Sequence, residues 1–179
     1  MTSMTDFHSK RIPMTYRAAP SRPGWRVLVA IIAVTVLTAL LGSVASLHAP
    51  AFYQALNKPS WAPPAWVFGP AWTILFVLMA TSAWLVVKGR PLSHSRAELA
   101  LYGAQLTLNA AWTWLFFYWN LGAAAFVEVV ILLVMVALTA RAFHRVKPLA
   151  GWFMAPYIAW VSFASLLTYA MWQGNAGVL

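Results

Sequence analysis

Cysteine is absent from this chain of 179 residues, which excludes disulfide frameworks, thiolate metal sites and cysteine nucleophiles. Acids are almost absent too. Asp6, Glu98 and Glu128 are the only three, against twelve Lys and Arg, for a net charge of +9. Charged residues make up 8% of the chain and hydrophobic ones 62%, where soluble domains carry about 25% and roughly 45–50%. Too little charge remains to cover a water-exposed surface, so a soluble globular domain is excluded. Period-two alternation is missing, which argues against a transmembrane β-barrel. There is no nucleophile elbow, phosphate loop or dinucleotide fingerprint. His8, His48, His94 and His144 lack metal-ligand spacing, so no metal site is expected. Internal repeats are not visible, which leaves an inverted-repeat transporter without support.

Long apolar runs are plentiful. A helix needs about 20 apolar residues to cross roughly 30 Å of hydrocarbon, and five stretches qualify: 27–47, 65–87, 99–119, 123–143 and 150–172. The expected fold is therefore an all-α membrane protein, a bundle of five transmembrane helices. Pro70 and Pro156 fall within two of the stretches, near their ends, where neighbouring groups can satisfy the freed carbonyls. Basic residues sort by side. Lys10, Arg11, Arg17, Arg22 and Arg26 precede the first span, Lys88, Arg90 and Arg96 follow the second, and Arg141, Arg145 and Lys147 follow the fourth. These eleven face only Lys58 on the other side. The positive-inside rule then predicts a cytoplasmic N-terminus and an external C-terminus. With the charge accounted for by topology, no basic face remains for nucleic acid, and no nucleic-acid partner is expected. Such asymmetry suits a bacterial inner membrane better than an outer one.

Residues 1–24, rich in Ser, Thr, Pro and Arg, read as a flexible basic tail preceding a membrane domain at 25–179. The apolar run after Arg26 exceeds the roughly 7–15 residues of a cleavable h-region, so an uncleaved first helix is expected. Only Asn120, Leu121 and Gly122 separate the third and fourth spans, which makes these a tight antiparallel hairpin. The first loop, 48–64, contains Pro50, Pro59, Pro63 and Pro64. It reads as a semi-rigid lid over one end of the bundle.

Within the third span Tyr102, Gln105, Asn109, Trp112 and Phe116 recur at helical spacing and share one face. Carboxamides in hydrocarbon need partners, so Gln105 and Asn109 should face the interior, as interhelical glue or as groups that orient a ligand against Trp112. Glu128 is the only acid within a span; it is either a functional carboxylate or a protonated, hydrogen-bonded structural one. Of the eleven tryptophans, Trp25, Trp66, Trp119, Trp152 and Trp172 sit at span ends, as an aromatic belt requires. Trp72 and Trp160 lie inside spans with Tyr157, where an indole N–H wants a partner. Gly42-Ser43 reads as a point of close helix packing.

Several of these segments resemble a known family. The run 53–64, Tyr-Gln-Ala-Leu-Asn-Lys-Pro-Ser-Trp-Ala-Pro-Pro, is similar to the first-loop signature of the TspO/MBR family, the tryptophan-rich sensory and translocator proteins related to the peripheral-type benzodiazepine receptor. Trp72, the stretch 105–109 with Trp112 and Phe116-Phe117, the stretch 144–146, and 156–160 (Pro-Tyr-Ile-Ala-Trp) follow in the family's order. The resemblance covers about 27–177 and implies a five-helix bundle, often a homodimer in the lipid bilayer, that binds tetrapyrroles such as protoporphyrin IX and benzodiazepine-site ligands. No obligatory cofactor is implied, only a porphyrin or haem-like ligand. Carried over by motif, the ligand site would comprise Tyr53, Trp61, Trp72, Gln105, Asn109, Trp112, Tyr157 and Trp160. Some members are reported to degrade porphyrin in light, which would make Trp72 and Trp160 catalytic; porphyrin transport is a further possibility. Leu167-Thr168 stands where the family often has Leu-Asn, and no basic residue follows Tyr169, so a cholesterol motif is not expected there. Glu128 keeps the family's acidic position.

Overall fold

The computed structural model describes residues 24–88 and 90–179, so the expected tail at 1–24 lies, but for Gly24, outside the described residues. Among these the chain is all helical: α1 (Trp25–Ala45), α2 (Ala49–Ala55), α3 (Phe68–Lys88), α4 (Arg96–Thr113), α5 (Gly122–Val146), α6 (Pro148–Phe153) and α7 (Ala155–Gly174). Short 3-10 turns precede α3 and α4, and a π-helical turn, Trp114–Tyr118, extends α4.

Four helical segments are long and apolar enough to cross a membrane: Trp25–Ala45, Ala65–Lys88, Gly122–Val146 and Pro148–Gly174. The third expected span falls short of that standard for a physical reason. Arg96, Glu98, Gln105 and Asn109 all lie on α4, and each lowers its hydropathy. The last expected span is two helices rather than one. Pro156 has no N–H to donate and its ring crowds the preceding turn, so the chain tightens at Met154, whose N–H bonds Gly151 O at 3.0 Å. Ser82 Oγ on α3 donates to Ala150 O at 2.6 Å, satisfying a carbonyl beside that bend. The expected lid is helical in part, as α2, and non-helical from Leu56 to Pro64.

Hydroxyls inside the apolar helices bond their own backbone. Thr38 and Ser43 donate to carbonyls one turn earlier at 3.0 and 2.8 Å, which satisfies them without water. Thr35 bonds both Ile31 O and Tyr102 Oη at 2.7 Å, joining α1 to α4. Otherwise α1 turns little inward: it buries Ile31, Thr35, Thr38 and Ala45 and leaves Val29, Ile32, Val36, Leu37, Leu40 and Leu41 exposed. That outward face is what lipid requires. The densest packing joins α4, α5 and α7, where Leu106, Val129, Leu132, Tyr157 and Val161 are buried.

Two tight connections constrain the bundle. The expected α4–α5 hairpin is present and turns on Asn120, whose φ of 54° is a left-handed conformation that Asn tolerates. At the other end Gly151 approaches α5 closely, and an added Cβ would lie 2.8 Å from His144 Cα. Backbone cannot yield as a side chain does, so Gly151→Ala should destabilise the protein by about 1–3 kcal/mol. Thermal unfolding in detergent checks this, and an unchanged midpoint would refute it.

Candidate functional site

A partly open cavity of about 460 Å³ lies between α1, α2, the start of α3 and the end of α4. Its walls differ in kind. From α1 come Ala39, Gly42, Ser43 and Ser46, spaced at helical period, all small. From the opposite side come Phe68, Trp72 and Phe76 of α3, with Trp112 and Phe117. Small residues facing large flat ones make a slot rather than a sphere. Tyr53 of α2 closes one end, and Asn109, Thr73 and Thr113 supply polarity. None of the lining side chains is charged. A second space of about 20 Å³ shares Tyr53, Phe68, Trp72, Trp112 and Phe117, and is completed by Phe116 and by α7 residues including Trp160 and Thr168.

The π-helical turn explains how so many rings meet here. Trp119 N–H bonds Trp114 O at 2.9 Å, which inserts an extra residue into the helix and rotates the positions beyond it. Phe116 then stacks on Trp112, with centroids 5.6 Å and planes 9° apart, while Phe117 meets Trp112 edge-on at 5.8 Å. The Trp112 indole N–H is buried without a partner.

The expected site residues divide by position. Tyr53, Trp72, Asn109 and Trp112 line the main cavity. Tyr157 stands behind it, fully buried, and its hydroxyl accepts from Asn109 Nδ2 at 2.9 Å. Trp160 lies beyond Trp72, edge-to-face at 6.4 Å, and reaches only the smaller space. Trp61 is 49% exposed and packs on Phe163 outside both. Gln105 lines neither: it is fully buried, directs Nε2 at Met79 Sδ 3.7 Å away, and leaves Oε1 without a donor. Glu128 is also buried away from both spaces, with neither carboxylate oxygen partnered among the described residues. Lys58 does not reach it. Instead the Lys58 ammonium donates to the carbonyls of Tyr53, Gln54 and Leu56 at 2.9, 3.0 and 3.1 Å, capping the C-terminus of α2.

Sequence reasoning missed the small α1 wall, whose Gly42-Ser43 reads as helix packing, and missed Phe68 and Phe76. Ala39, Gly42, Ser43 and Ser46 fall at the spacing of one helical face, a signal that could have found them.

The lid is braced within itself and clasped to the bundle at Asn57. Tyr53 Oη donates to Pro63 O at 2.7 Å, and burial pushes this phenol above its ordinary value of 10.0, so it keeps its proton to donate. Asn57 N–H donates to Asn175 Oδ1 at 2.8 Å, and Asn175 Nδ2 returns bonds to Asn57 O at 3.0 Å and Met171 O at 2.7 Å. The Asn175 side chain thus imitates a neighbouring strand and clasps the lid to the end of α7.

The sequence is similar to those of known proteins. A model of the TspO/MBR family matches residues 28–173. The chain is 40% identical to the translocator protein of Ovis aries over 128 residues, 70% of this chain and 76% of that one. It is 40% identical to the tryptophan-rich protein TspO of Chlorobaculum tepidum over 125 residues, 69% and 79% of the two chains. The tryptophan-rich sensory protein of Cereibacter sphaeroides is 39% identical over 124 residues, 69% of this chain and 77% of that one. With apolar helices long enough to span a bilayer and an aromatic slot under a clasped lid, the chain belongs to the TspO/MBR family of multi-pass integral membrane proteins.

Proposed function

We propose that this protein binds tetrapyrroles within the membrane and acts in porphyrin handling, transport or stress sensing. The observation that carries the reading is the slot of about 460 Å³, within the roughly 300–1,000 Å³ of small-molecule sites, with aromatic faces on one side and small residues on the other. A flat macrocycle of the protoporphyrin IX class fits that shape: its π-face lies against Trp72 and Trp112, while Asn109 and Tyr53 offer polar contacts. No charged side chain lines the slot, so the propionates of such a ligand would point out of its mouth. In this reading the protein is an inner-membrane homodimer whose chain crosses the membrane five times, α4 with its π-turn being the third span, and the eleven-to-one basic split supports a cytoplasmic N-terminus.

Fluorescence-quenching titration with protoporphyrin IX tests this. Saturable quenching is expected in the wild type. Gly42→Leu should weaken it about tenfold or more, because the new side chain occupies the slot. An added Cβ at Gly42 meets Thr113 only at 3.7 Å, so the fold should tolerate the change. Absence of saturable quenching in the wild type removes the tetrapyrrole reading.

A second reading, light- and oxygen-dependent porphyrin degradation, draws on the contact of Trp72 with Trp160 at 6.4 Å. Trp72 touches the slot and Trp160 stands behind it, so a bound, excited ring could take an electron from Trp72, Trp160 refill it, and the reduced ring pass the electron to oxygen. Illumination in oxygen should then bleach porphyrin in the wild type but not in Trp160→Phe, with binding retained in both. Equal bleaching would discard this reading and leave the binding one intact.

A further inference from the structure

A groove of about 380 Å³ runs along the outer side of the bundle between α1 and α3. Leu28 and Trp84 lie at one end, Ile32, Val36 and Val77 along it, and Ala39 with Phe76 at the other. Its hydroxyls are already committed: Thr35 to Ile31 O and Tyr102, and Thr81 to Val77 O at 2.7 Å. Apart from the Trp84 indole, the groove therefore presents almost only hydrocarbon to an occupant. From Leu28 to Ala39 the helix rises about 16 Å at roughly 1.5 Å per residue. That is about half of a roughly 30 Å bilayer core, the depth of one leaflet. Toward the Leu28–Trp84 end, Arg26 lies two residues before Leu28 at the start of α1 and Lys88 one turn beyond Trp84 at the end of α3, both exposed and neither paired with an acid among the described residues.

We propose that this groove is a binding site for one acyl chain of an anionic phospholipid, whose headgroup is held by Arg26 and Lys88. Lysine and arginine at a membrane surface attract anionic headgroups, and a groove one leaflet deep holds a single tail running inward from them. Ala39 and Phe76 line both the groove and the main cavity. The tip of the tail thus lies on the far side of Ala39 and Phe76 from the slot, and the two spaces share that wall. The site is independent of what the slot binds.

Photolabelling tests this on the full chain in vesicles of phosphatidylcholine doped with phosphatidylglycerol carrying a diazirine in its acyl chain. Label is expected to concentrate at Val36, Val77 and Ala80. It should fall about tenfold in Ala80→Trp or Val36→Trp, which fill the groove. Leu138→Trp, on another lipid-exposed surface, should leave it unchanged, which also controls for the added indole. Because the chain has no cysteine, Val36→Cys additionally reports whether two copies meet at the groove. Labelling spread evenly over all lipid-facing helices would mean ordinary annular lipid and overturn the proposal. Equal labelling by a phosphatidylcholine probe, or an unchanged headgroup preference in Arg26→Gln/Lys88→Gln, would overturn it as well. Ready chain-to-chain cross-linking at Val36→Cys with groove labelling lost would assign the groove to a second copy instead.

Discussion

Replacing Asn175 by Ala should release the lid. The Asn175 side chain accepts from Asn57 N–H at 2.8 Å and donates to Asn57 O at 3.0 Å and to Met171 O at 2.7 Å. Asn175 is itself 8% exposed, so water replaces these bonds poorly in the closed state. The bond to Met171 O lies within the end of α7, so two bonds hold the lid; at about 0.5–1.5 kcal/mol each they amount to about 1–3 kcal/mol, or roughly 5- to 150-fold in the opening equilibrium. Hydrogen exchange at the amides of residues 56–62 should accelerate by that order, Asn57 most of all, since its N–H loses its acceptor. Exchange in α5 should not change, because the clasp touches the lid and the end of α7 alone. A ligand held in the slot should dissociate faster by a similar factor, with a smaller change in its association rate. Exchange at Asn57 equal to the wild type would show that the lid is held by something else, the bond from Asn57 Nδ2 to Gly174 O at 3.4 Å being the nearest alternative.

The pair of Asn109 and Tyr157 yields the other large effect, and its two halves are unequal. Tyr157 is fully buried and its hydroxyl meets Asn109 Nδ2 at 2.9 Å. Asn109→Ala leaves that hydroxyl stranded, at about 1–3 kcal/mol, and also strips a polar group from the cavity wall. Tyr157→Phe removes the hydroxyl altogether and leaves Asn109, which borders the cavity, free to bond water there. It should cost about 1 kcal/mol or less. The double variant should therefore be more stable than Asn109→Ala alone. Thermal unfolding of the four proteins in one detergent measures this as a coupling energy. Additive losses would show that the bond contributes nothing beyond the separate side chains. Porphyrin affinity offers an independent reading: if Asn109 contacts the ligand, Asn109→Ala weakens binding while Tyr157→Phe largely preserves it.

Gln105 and Asn109 show how far periodicity reaches. One turn apart on the same helix, they share a face, and both are buried as carboxamides in hydrocarbon must be. Yet Asn109 borders the slot while Gln105 lies against Met79 of α3, because what faces each level of α4 is supplied by other helices. Spacing along one helix carries no information about the distance between two others. Trp61 makes the same point from outside: its motif puts it in the lid, but the fold turns its ring toward Phe163 rather than the slot.

The apolar runs, the scarcity of acids and the one-sided placement of basic residues were enough to read a helical membrane protein with a proline-stiffened lid, since bilayer thickness and charge asymmetry act on a chain locally. Family membership was equally legible, from motifs in the lid, α4 and α7. What needed the folded chain was every feature made by residues distant in sequence. Asn175 meets Asn57 across 118 positions; Ala39 and Phe76 together wall both slot and groove; and the π-turn brings Phe116 and Phe117 against Trp112. Cavities and clasps are properties of the gaps between helices. Those gaps are set by how side chains from several helices pack at once, which no single segment encodes.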